Sequence, residues 1–271
     1  MRKPTFTAWI GLAILAAYLV ILIAGPHLAP FGQEDIIGSP FGDPEPGHPL
    51  GFDQNGRDML SRLLYGGQMS IGVSLAAVLI SFAVGIPMGF MAAIRGGWFD
   101  TILSRLVDTI MCVPVLISAL VVLQALGSSL PVLVLTIALL DSTRVFRLSR
   151  VLAQGVGALE FAEVARLRGE GNWWLIRKEI LPNVASPLVA EFGLRFCFTF
   201  LFVAGLSFLG LGVQPPFADW GGMVKDNQQA IVYGLYAPLY PAAAIAILTV
   251  GVNLVVDWML AGRSAPQGDN R

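Results

Sequence analysis

Charged residues are scarce in this chain of 271 residues, of which only 13% are charged. A soluble domain usually carries about 25% charged residues, so roughly half of the expected charge is missing. Hydrophobic residues make up 55% and the mean hydropathy is +0.71. Apolar runs of about 20 residues, long enough to cross a hydrocarbon core of about 30 Å, recur along the sequence. The composition therefore excludes an ordinary soluble domain and predicts an integral membrane protein.

Histidine and cysteine are also rare, with two of each. Cys112 and Cys197 lie inside apolar runs, where they are expected to be small buried hydrophobes rather than a disulfide framework. His27 and His48 are too few for a histidine-rich site, and His48 is expected to be an ordinary loop residue. The sequence predicts no metal site.

The motifs of nucleotide hydrolysis and of common hydrolases are missing. A P-loop needs Gly-x-x-x-x-Gly-Lys followed by Ser or Thr, whereas Lys3, Lys178 and Lys225 are the only lysines and none follows a glycine. His-Glu-x-x-His and Gly-x-Ser-x-Gly are absent as well. The sequence therefore predicts no catalytic residue, and any ATP that drives this protein must be hydrolysed by another chain.

Six apolar runs predict six transmembrane helices. The first run, preceded by Arg2 and Lys3, is longer than the core of a signal peptide, which favours a retained helix over a cleaved signal. Only Gly127-Ser128-Ser129 separates the third and fourth runs, which predicts a tight antiparallel pair. Pro87 and Pro114 fall inside runs and are expected to kink their helices. The runs are about Ala8–Gly25, Met69–Ile94, Leu103–Leu126, Leu130–Arg147, Leu188–Leu211 and Ala237–Leu260.

The basic residues are distributed unevenly between the predicted loops. If the N-terminus is cytoplasmic, the outer loops hold only Arg57, Arg62 and Lys225, and the other 14 of the 17 basic residues lie on or near the inside. Because cytoplasmic loops carry an excess of Lys and Arg, this asymmetry predicts that both termini are cytoplasmic.

A long insertion at about 151–187 separates the fourth and fifth runs and is predicted to be cytoplasmic. Leu159–Arg168 predicts a short amphipathic helix, and Gly169, which tolerates positive φ, is expected to end it. A second short helix is expected to begin near Asn172 as its N-cap and to stop at Pro182. The insertion therefore predicts two short helices that are joined by a glycine turn and project from the membrane.

The same insertion resembles the EAA coupling loop of ATP-binding-cassette (ABC) importer permeases. The resemblance rests on Glu163-Val164-Ala165, Gly169 and Ile180-Leu181-Pro182, with Val164 where that family more often has Ala. It implies that these residues and Arg166 dock on a cytoplasmic ATPase. Glu163 would offer a charge, while the small Ala165 and the bare backbone of Gly169 would permit close approach. The residues alone leave open an amphipathic helix on the inner leaflet.

Two further stretches are similar to the dipeptide, oligopeptide and nickel branch of that family. They are His48–Gly66 and Leu206–Pro216, the second followed by Asp219-Trp220-Gly221. The chain most resembles the C-type permeases of dipeptide and oligopeptide importers. This resemblance implies an all-α type I permease fold in a bacterial inner membrane and the transport of peptides. Nickel complexes, glutathione and opine-like solutes are the alternative substrates.

The resemblance also implies the surroundings of the chain. Its expected partners are a second homologous permease subunit, two ABC ATPase subunits that hold ATP and Mg, a periplasmic substrate-binding protein and membrane lipid. No nucleic acid and no cofactor are expected on this chain. Residues 1–67 are expected to form the first helix and a periplasmic segment, residues 68–262 the permease core, and residues 263–271 a cytoplasmic tail.

Charged residues supply the remaining candidate sites. Gly56-Arg57-Asp58 is expected at the periplasmic mouth, where local pairing of the Arg and Asp is favoured over contact with the binding protein. Asp108 is the best candidate for a translocation pathway or an inter-subunit contact, and Asp257 lies near the inner interface. Helical spacing predicts two structural pairs, which are Asp141 with Arg144 and Glu191 with Arg195.

Two other classes of protein compete with the importer. A proton-driven secondary transporter usually has paired carboxylates at the membrane midplane and internal repeats, and neither is clear in these runs. A membrane-embedded hydrolase needs a nucleophile and a base, and both histidines fall in outer loops. We therefore favour the importer subunit.

Overall fold

The computed structural model describes residues 5–157, 164–165 and 167–261. Within these ranges the chain contains helices and turns, with isolated β-bridges but no β-strand, which confirms the predicted all-α class. The helices are α1 (Phe6–Leu28), α2 (Met59–Arg95), α3 (Gly97–Met111), α4 (Val115–Leu126), α5 (Leu130–Gly157), α6 (Asn172–Leu175), α7 (Leu181–Phe208), α8 (Trp220–Asp226) and α9 (Leu239–Ala261). A π-helical turn (Ile176–Ile180) joins α6 to α7, and a 3-10 turn (Gln228–Tyr233) follows α8.

Four helical segments of the described chain are long and apolar enough to cross a membrane, or five if α3 and α4 together form one span. The four are α1, α2, α9 and the continuous stretch Asn172–Phe208. The predicted span Leu130–Arg147 corresponds to α5, whose apolar sequence is interrupted by Asp141, Arg144 and Arg147. The total of six spans therefore stays a prediction.

The third apolar run is broken into two helices, so the prediction that Pro114 only kinks a single helix over Leu103–Leu126 is wrong. α3 and α4 meet at an angle of 83°. Pro114 occupies the N-cap position of α4 with an extended backbone (φ −53°, ψ 130°). Proline lacks the N–H that would continue the ladder of α3, and it is well suited to start a helix. In contrast, α2 continues through Pro87.

The chain divides into two compact units, and the first comprises residues 1–75, 128–133 and 196–271. In this unit α1 packs closely on α9 because glycines face each other: a Cβ on Gly11 would lie 2.9 Å from the carbonyl oxygen of Gly251. The hydroxyl of Tyr18 donates to the carbonyl of Ala244 at 2.8 Å. Small residues allow this close approach of helices in an apolar environment.

Trp220 anchors the start of α8 in the first unit. Its side chain is 1% exposed, and its Nε1–H donates to the carbonyl of Leu63 at 2.8 Å. The indole meets the rings of Tyr18 and Phe200 edge to face, with centroids 5.7 and 6.1 Å away. A large aromatic side chain with its polar group satisfied fixes the start of α8 against α1, α2 and α7.

The second unit comprises residues 76–127 and 134–195. Its larger hydrophobic cluster packs Phe90 of α2 with Ala153 and Val156 of α5 and with Val184 of α7. A Cβ on Gly89 would lie 2.6 Å from the carbonyl oxygen of Phe146, so glycine is required where α2 crosses α5. This cluster also holds the segment that resembles a coupling loop.

Candidate functional site

The turn at Gly169 has the conformation that its sequence predicts. Gly169 adopts φ +81°, the left-handed region in which glycine is favoured. The N–H of Glu170 donates to the carbonyl of Ala165 at 3.2 Å, and that of Arg168 donates to Val164 at 3.1 Å. The first bond is typical of a glycine-terminated helix end and the second is an ordinary helical bond that reaches Arg168, so the expectation that Gly169 ends the first helix is confirmed.

Part of the predicted coupling residues cannot be placed. Glu163 and Arg166 lie outside the described residues, whereas Val164, Ala165 and Gly169 lie within them. The possible ion pair of Glu163 with an ATPase therefore remains an expectation from the sequence.

The second helix begins where expected but does not stop at Pro182. Gly171 is the N-cap, with an extended backbone (φ −73°, ψ 160°), so Asn172 is the first helical residue rather than the cap. The prediction that Pro182 ends the helix is wrong, because α6 continues through the π-helical turn into α7. In that turn the N–H of Leu181 donates to the carbonyl of Ile176. The wider turn directly before Pro182 accommodates a residue that cannot donate.

Burial separates the coupling residues into an anchor and an exposed surface. Ala165, Leu175 and Ile180 are at most 2% exposed and pack in the cluster around Phe90. The exposed surface consists of Val164, Leu167 and Trp173, which are 52%, 81% and 68% exposed. The small size of Ala165 thus serves packing within this chain. Close approach of another chain would fall to Gly169, because the space beside its Cα is empty.

Arg168 and Trp174, which are sequence neighbours of Leu167 and Trp173, contact each other. The guanidinium of Arg168 lies 5.8 Å from the centroid of the Trp174 ring, within the range of a cation–π contact. Trp174 itself packs against the hydrophobic cluster. The turn is therefore a firmly attached apolar projection with a basic edge.

In the segment between α1 and α2, Gly56-Arg57-Asp58 belongs to a turn organised by the fully buried Asp53. The Oδ1 of Asp53 accepts the backbone N–H of Asn55 and Arg57 at 2.8 and 2.9 Å. Its Oδ2 accepts the Nε–H of Arg57 at 2.8 Å and an Nη1–H of Arg62. Arg57 is therefore paired locally, as predicted, but with Asp53 instead of Asp58.

Asp58 has a structural role at the start of α2. Its Oδ2 accepts the N–H of Ser61 at 2.7 Å, which is the bond of a helix N-cap. Its Oδ1 lies 2.8 Å from Nδ1 of His48, and the His48 ring stacks on Phe31 with centroids 4.7 Å apart. His48 is thus a packed loop residue, as the sequence predicts.

An open cavity of about 400 Å³ lies beside this turn. No sequence pattern predicted it, although Asp219 belongs to a family-like motif and Arg62 and Lys225 belong to predicted loops. The cavity lies between residues that are far apart in the chain, so no local pattern marks it. Its polar lining includes Asn55, Arg57, Arg62, Ser207, Gln214, Asp219, Lys225 and Asp226.

Burial shifts both aspartates of this cavity in the same direction. It raises the pKa of Asp219 to about 6, against the hydrogen bonds from Ser207 and from the backbone of Gly221 and Gly222 that favour the charged form. Burial also raises the pKa of Asp226, while the nearby charges of Arg57 and Lys225 lower it. The cavity is therefore a partly dehydrated site with charges of both signs.

Of the two ion pairs predicted in the second unit, one is confirmed and one is replaced. The Glu191–Arg195 pair is confirmed, with Oε1 and Nε 2.5 Å apart. The predicted Asp141–Arg144 pair is replaced. Asp141 instead lies 3.7 Å from Nη1 of Arg195 and accepts a hydrogen bond from the hydroxyl of Ser81 at 3.2 Å. These contacts join α2, α5 and α7 within the unit.

Asp108, the candidate for the translocation pathway, lies on α3. Its carboxylate is about half exposed and is 3.8 Å from Nη2 of Arg147, which is also exposed. An exposed pair of this kind contributes little stability. The geometry gives Asp108 a surface position, and its role in a pathway stays a prediction.

Comparison with known proteins places the chain in a family. Residues 85–262 match the family model described as "Binding-protein-dependent transport system inner membrane component". The matched region holds the segment that resembles a coupling loop and both aspartates that line the cavity. Members of this family are membrane permease subunits of ABC importers.

Individual relatives extend the match towards the N-terminus. A dipeptide transport system permease protein of Alkalihalophilus pseudofirmus is 31% identical over 94% of this chain and 84% of its own length. A probable D,D-dipeptide transport system permease protein of Escherichia coli is 33% identical over 90% and 82%. A glutathione transport system permease protein of Pectobacterium atrosepticum is 32% identical over 79% and 71%.

A solved structure supports the fold. The crystal structure of an amino acid ABC transporter with histidines superposes with a TM-score of 0.54 at 20% identity, over 72% of this chain and 91% of that one. At this identity the likeness concerns the fold alone. Together with the family match and the relatives above, it shows that this chain belongs to the binding-protein-dependent transport system inner membrane components, as a permease subunit of an ABC importer.

Proposed function

We propose that this chain imports short peptides across a bacterial inner membrane, together with a second homologous permease subunit. Two ABC ATPase subunits, which carry ATP and Mg, would dock on its cytoplasmic side, and a periplasmic binding protein would deliver the substrate. Both termini would be cytoplasmic, with residues 68–262 as the permease core between the segment 1–67 and the tail 263–271. The chain itself would hydrolyse no ATP, because its sequence has no P-loop.

The proposal depends mainly on the construction of the coupling segment. Leu167 and Trp173 form an exposed apolar surface next to Gly169, whereas Ala165, Leu175 and Ile180 hold the segment in the hydrophobic cluster. An exposed apolar patch on a firmly packed base is typical of an interaction site. ATPase docking at this patch accounts for both features.

The continuity of α6, the π-helical turn and α7 suggests how motion would be transmitted. Asn172–Phe208 is one helical stretch of 37 residues. A displacement imposed on Trp173 when the ATPases close on ATP would therefore act directly on the rest of α7, without an intervening loop. The membrane part would respond by changing the side from which the pathway is accessible.

The names of the relatives support peptides as substrates. The similar permeases are named for dipeptides, D,D-dipeptides and glutathione, all of which are short peptides with free carboxylate and ammonium groups. We therefore favour short peptides over nickel complexes and opine-like solutes.

A pair of glycine variants tests the coupling role. The complete importer is reconstituted in vesicles with its binding protein, and ATP-driven peptide uptake and peptide-stimulated ATP hydrolysis are measured. Gly169→Val should reduce both, because a β-branched residue at φ +81° costs about 1–2 kcal/mol and distorts the turn. Gly171→Val is the matched control, since Gly171 also has empty space beside it but an ordinary φ of −73°.

Each result separates the proposal from its competitors. Normal uptake and normal stimulated hydrolysis in Gly169→Val would contradict the coupling role, provided that the variant complex assembles. Equal losses in both glycine variants would show general sensitivity of the segment instead of a requirement for the turn. Uptake that needs no ATPase and collapses with an uncoupler would favour the proton-driven transporter.

A further inference from the structure

The open cavity contains hydrogen-bond donors that the described part of the chain leaves without acceptors. Arg62 is 4% exposed, and its Nε–H has no acceptor although an Nη1–H is bonded to Asp53. The ammonium of Lys225 makes no hydrogen bond or ion pair with the described residues, and it lies against Gly210 at the cavity wall. A buried charged donor without a partner is costly, so this wall is suited to receive a carboxylate.

Asp53 cannot supply that carboxylate. Both of its oxygens are already bonded, to two backbone N–H groups and to the side chains of Arg57 and Arg62. One carboxylate therefore neutralises only one of the two guanidinium groups. One positive charge is left over, in addition to the charge of Lys225.

The lining of the cavity also provides acceptors. Asp219 is occupied because it caps α8 through the N–H of Gly222 at 3.2 Å and is bonded by Ser207. Asp226 makes no ion pair within 4 Å among the described residues, although Lys225 and Arg57 are close enough to affect its charge. Its carboxylate is available for an ammonium group of a ligand.

The charged groups around the cavity indicate a ligand that carries both a positive and a negative charge. Three cations (Arg57, Arg62 and Lys225) and three acidic side chains (Asp53, Asp219 and Asp226) lie in or directly behind the walls. A simple anion would satisfy the donors but would lie against Asp226. A zwitterion satisfies both the donors and the acceptors, and it leaves the net charge of the site unchanged. A volume of about 400 Å³ lies within the usual range for small-molecule sites.

We propose that this cavity binds the zwitterionic backbone of a short peptide. Arg62 and Lys225 would receive the terminal carboxylate, and Asp226 would receive the terminal ammonium. The inference rests on the proposed function, and it adds a peptide site on the permease itself, separate from the site of the binding protein.

Direct binding to the assembled importer tests the proposal. The complex of both permeases and both ATPases, held in lipid nanodiscs without binding protein or nucleotide, is titrated with alanyl-alanine by calorimetry. Alanyl-alanine should bind, and Lys225→Met and Asp226→Asn should each weaken binding at least about tenfold, because each removes a charged hydrogen bond. Glu34→Gln and Arg105→Met, which change exposed charges away from the cavity, should bind as the wild type does.

Blocked peptides assign the two ends. N-acetyl-alanyl-alanine should bind weakly to the wild type and should lose no further affinity in Asp226→Asn. Alanyl-alanine amide, which lacks the terminal carboxylate, should also bind weakly to the wild type and should lose no further affinity in Lys225→Met. Equal affinities of all three ligands, or unchanged affinities in both variants, would overturn the proposal.

Transport measurements separate this inference from the proposed function. ATP-driven uptake that remains normal while the nanodisc complex binds no alanyl-alanine would overturn only the cavity site. A second result to look for is that Lys225→Met abolishes docking of the binding protein and leaves peptide binding intact. That outcome would also overturn the proposal, since the cavity would then hold a side chain of that protein. Absence of any ATP-driven uptake alongside specific peptide binding would contradict only the proposed function.

Discussion

Replacement of Asp219 by Asn should flatten the dependence of the unfolding free energy on pH. The Asp219 side chain is 3% exposed and caps α8 by accepting the N–H of Gly222 at 3.2 Å. Burial raises its pKa from the ordinary 3.8 to about 6. The charged form is thus less favourable in the folded chain than in the unfolded chain.

The sign and size of the effect follow from this shift. Because the folded pKa is the higher one, the contribution to stability is complete below about pH 3.8 and is lost as the pH rises through about 6. A shift of about two units corresponds to about 3 kcal/mol. The titration curve places about 1.4 kcal/mol of this loss between pH 5 and pH 7.5. Asn carries no charge and keeps an oxygen for the N–H of Gly222, so the variant should lose this dependence.

The assay is thermal unfolding of the purified chain in detergent at pH 5, 6 and 7.5. The wild type should lose a few degrees of melting temperature over this range beyond the loss in Asp219→Asn. Asp219→Ala removes the cap as well and should be less stable than Asp219→Asn by about 1 kcal/mol at every pH. Glu34→Gln, an exposed acid, should keep the wild-type slope. Identical slopes in the wild type and Asp219→Asn would refute the reasoning.

Two packing predictions use pairs of like residues. Trp220→Ala should lower the free energy of unfolding by about 3–5 kcal/mol, because it empties a fully buried site and leaves a carbonyl without its donor. Trp9 is 61% exposed, so Trp9→Ala should change that free energy by less than about 0.5 kcal/mol. Gly221→Ala should destabilise the fold, since its Cβ would overlap the backbone of Ala204, and Gly205→Ala should be tolerated because the space beside it is empty. Melting temperatures in detergent measure both pairs, and equal effects within a pair would contradict the packing described.

Proline shows how far local sequence can be interpreted. Pro87, Pro114 and Pro182 share the same missing N–H, yet α2 continues through the first, a break of 83° occurs at the second, and a π-helical turn precedes the third. The outcome depends on whether neighbouring helices hold the surrounding backbone in place. Sequence spacing contains no information about those neighbours.

Ion pairs show the same limit of prediction from sequence spacing. Spacing of four along a helix predicts Glu191–Arg195 correctly, because both residues belong to one helix. The equally reasonable Asp141–Arg144 pair is replaced by Asp141–Arg195, which joins two helices. Only the packing of α5 on α7 places the second partner within reach.

The sequence by itself determined the membrane class, the apolar helices and the turn at Gly169, because hydropathy and backbone preference are properties of neighbouring residues. Its motifs also indicated the transporter family. The tertiary structure decided that Ala165 faces the core while Leu167 and Trp173 remain exposed. It also decided that Arg62 lines one cavity with Lys225 and Asp226, which lie far from it in the chain. Such features arise from contacts between distant segments, which only the folded chain brings together.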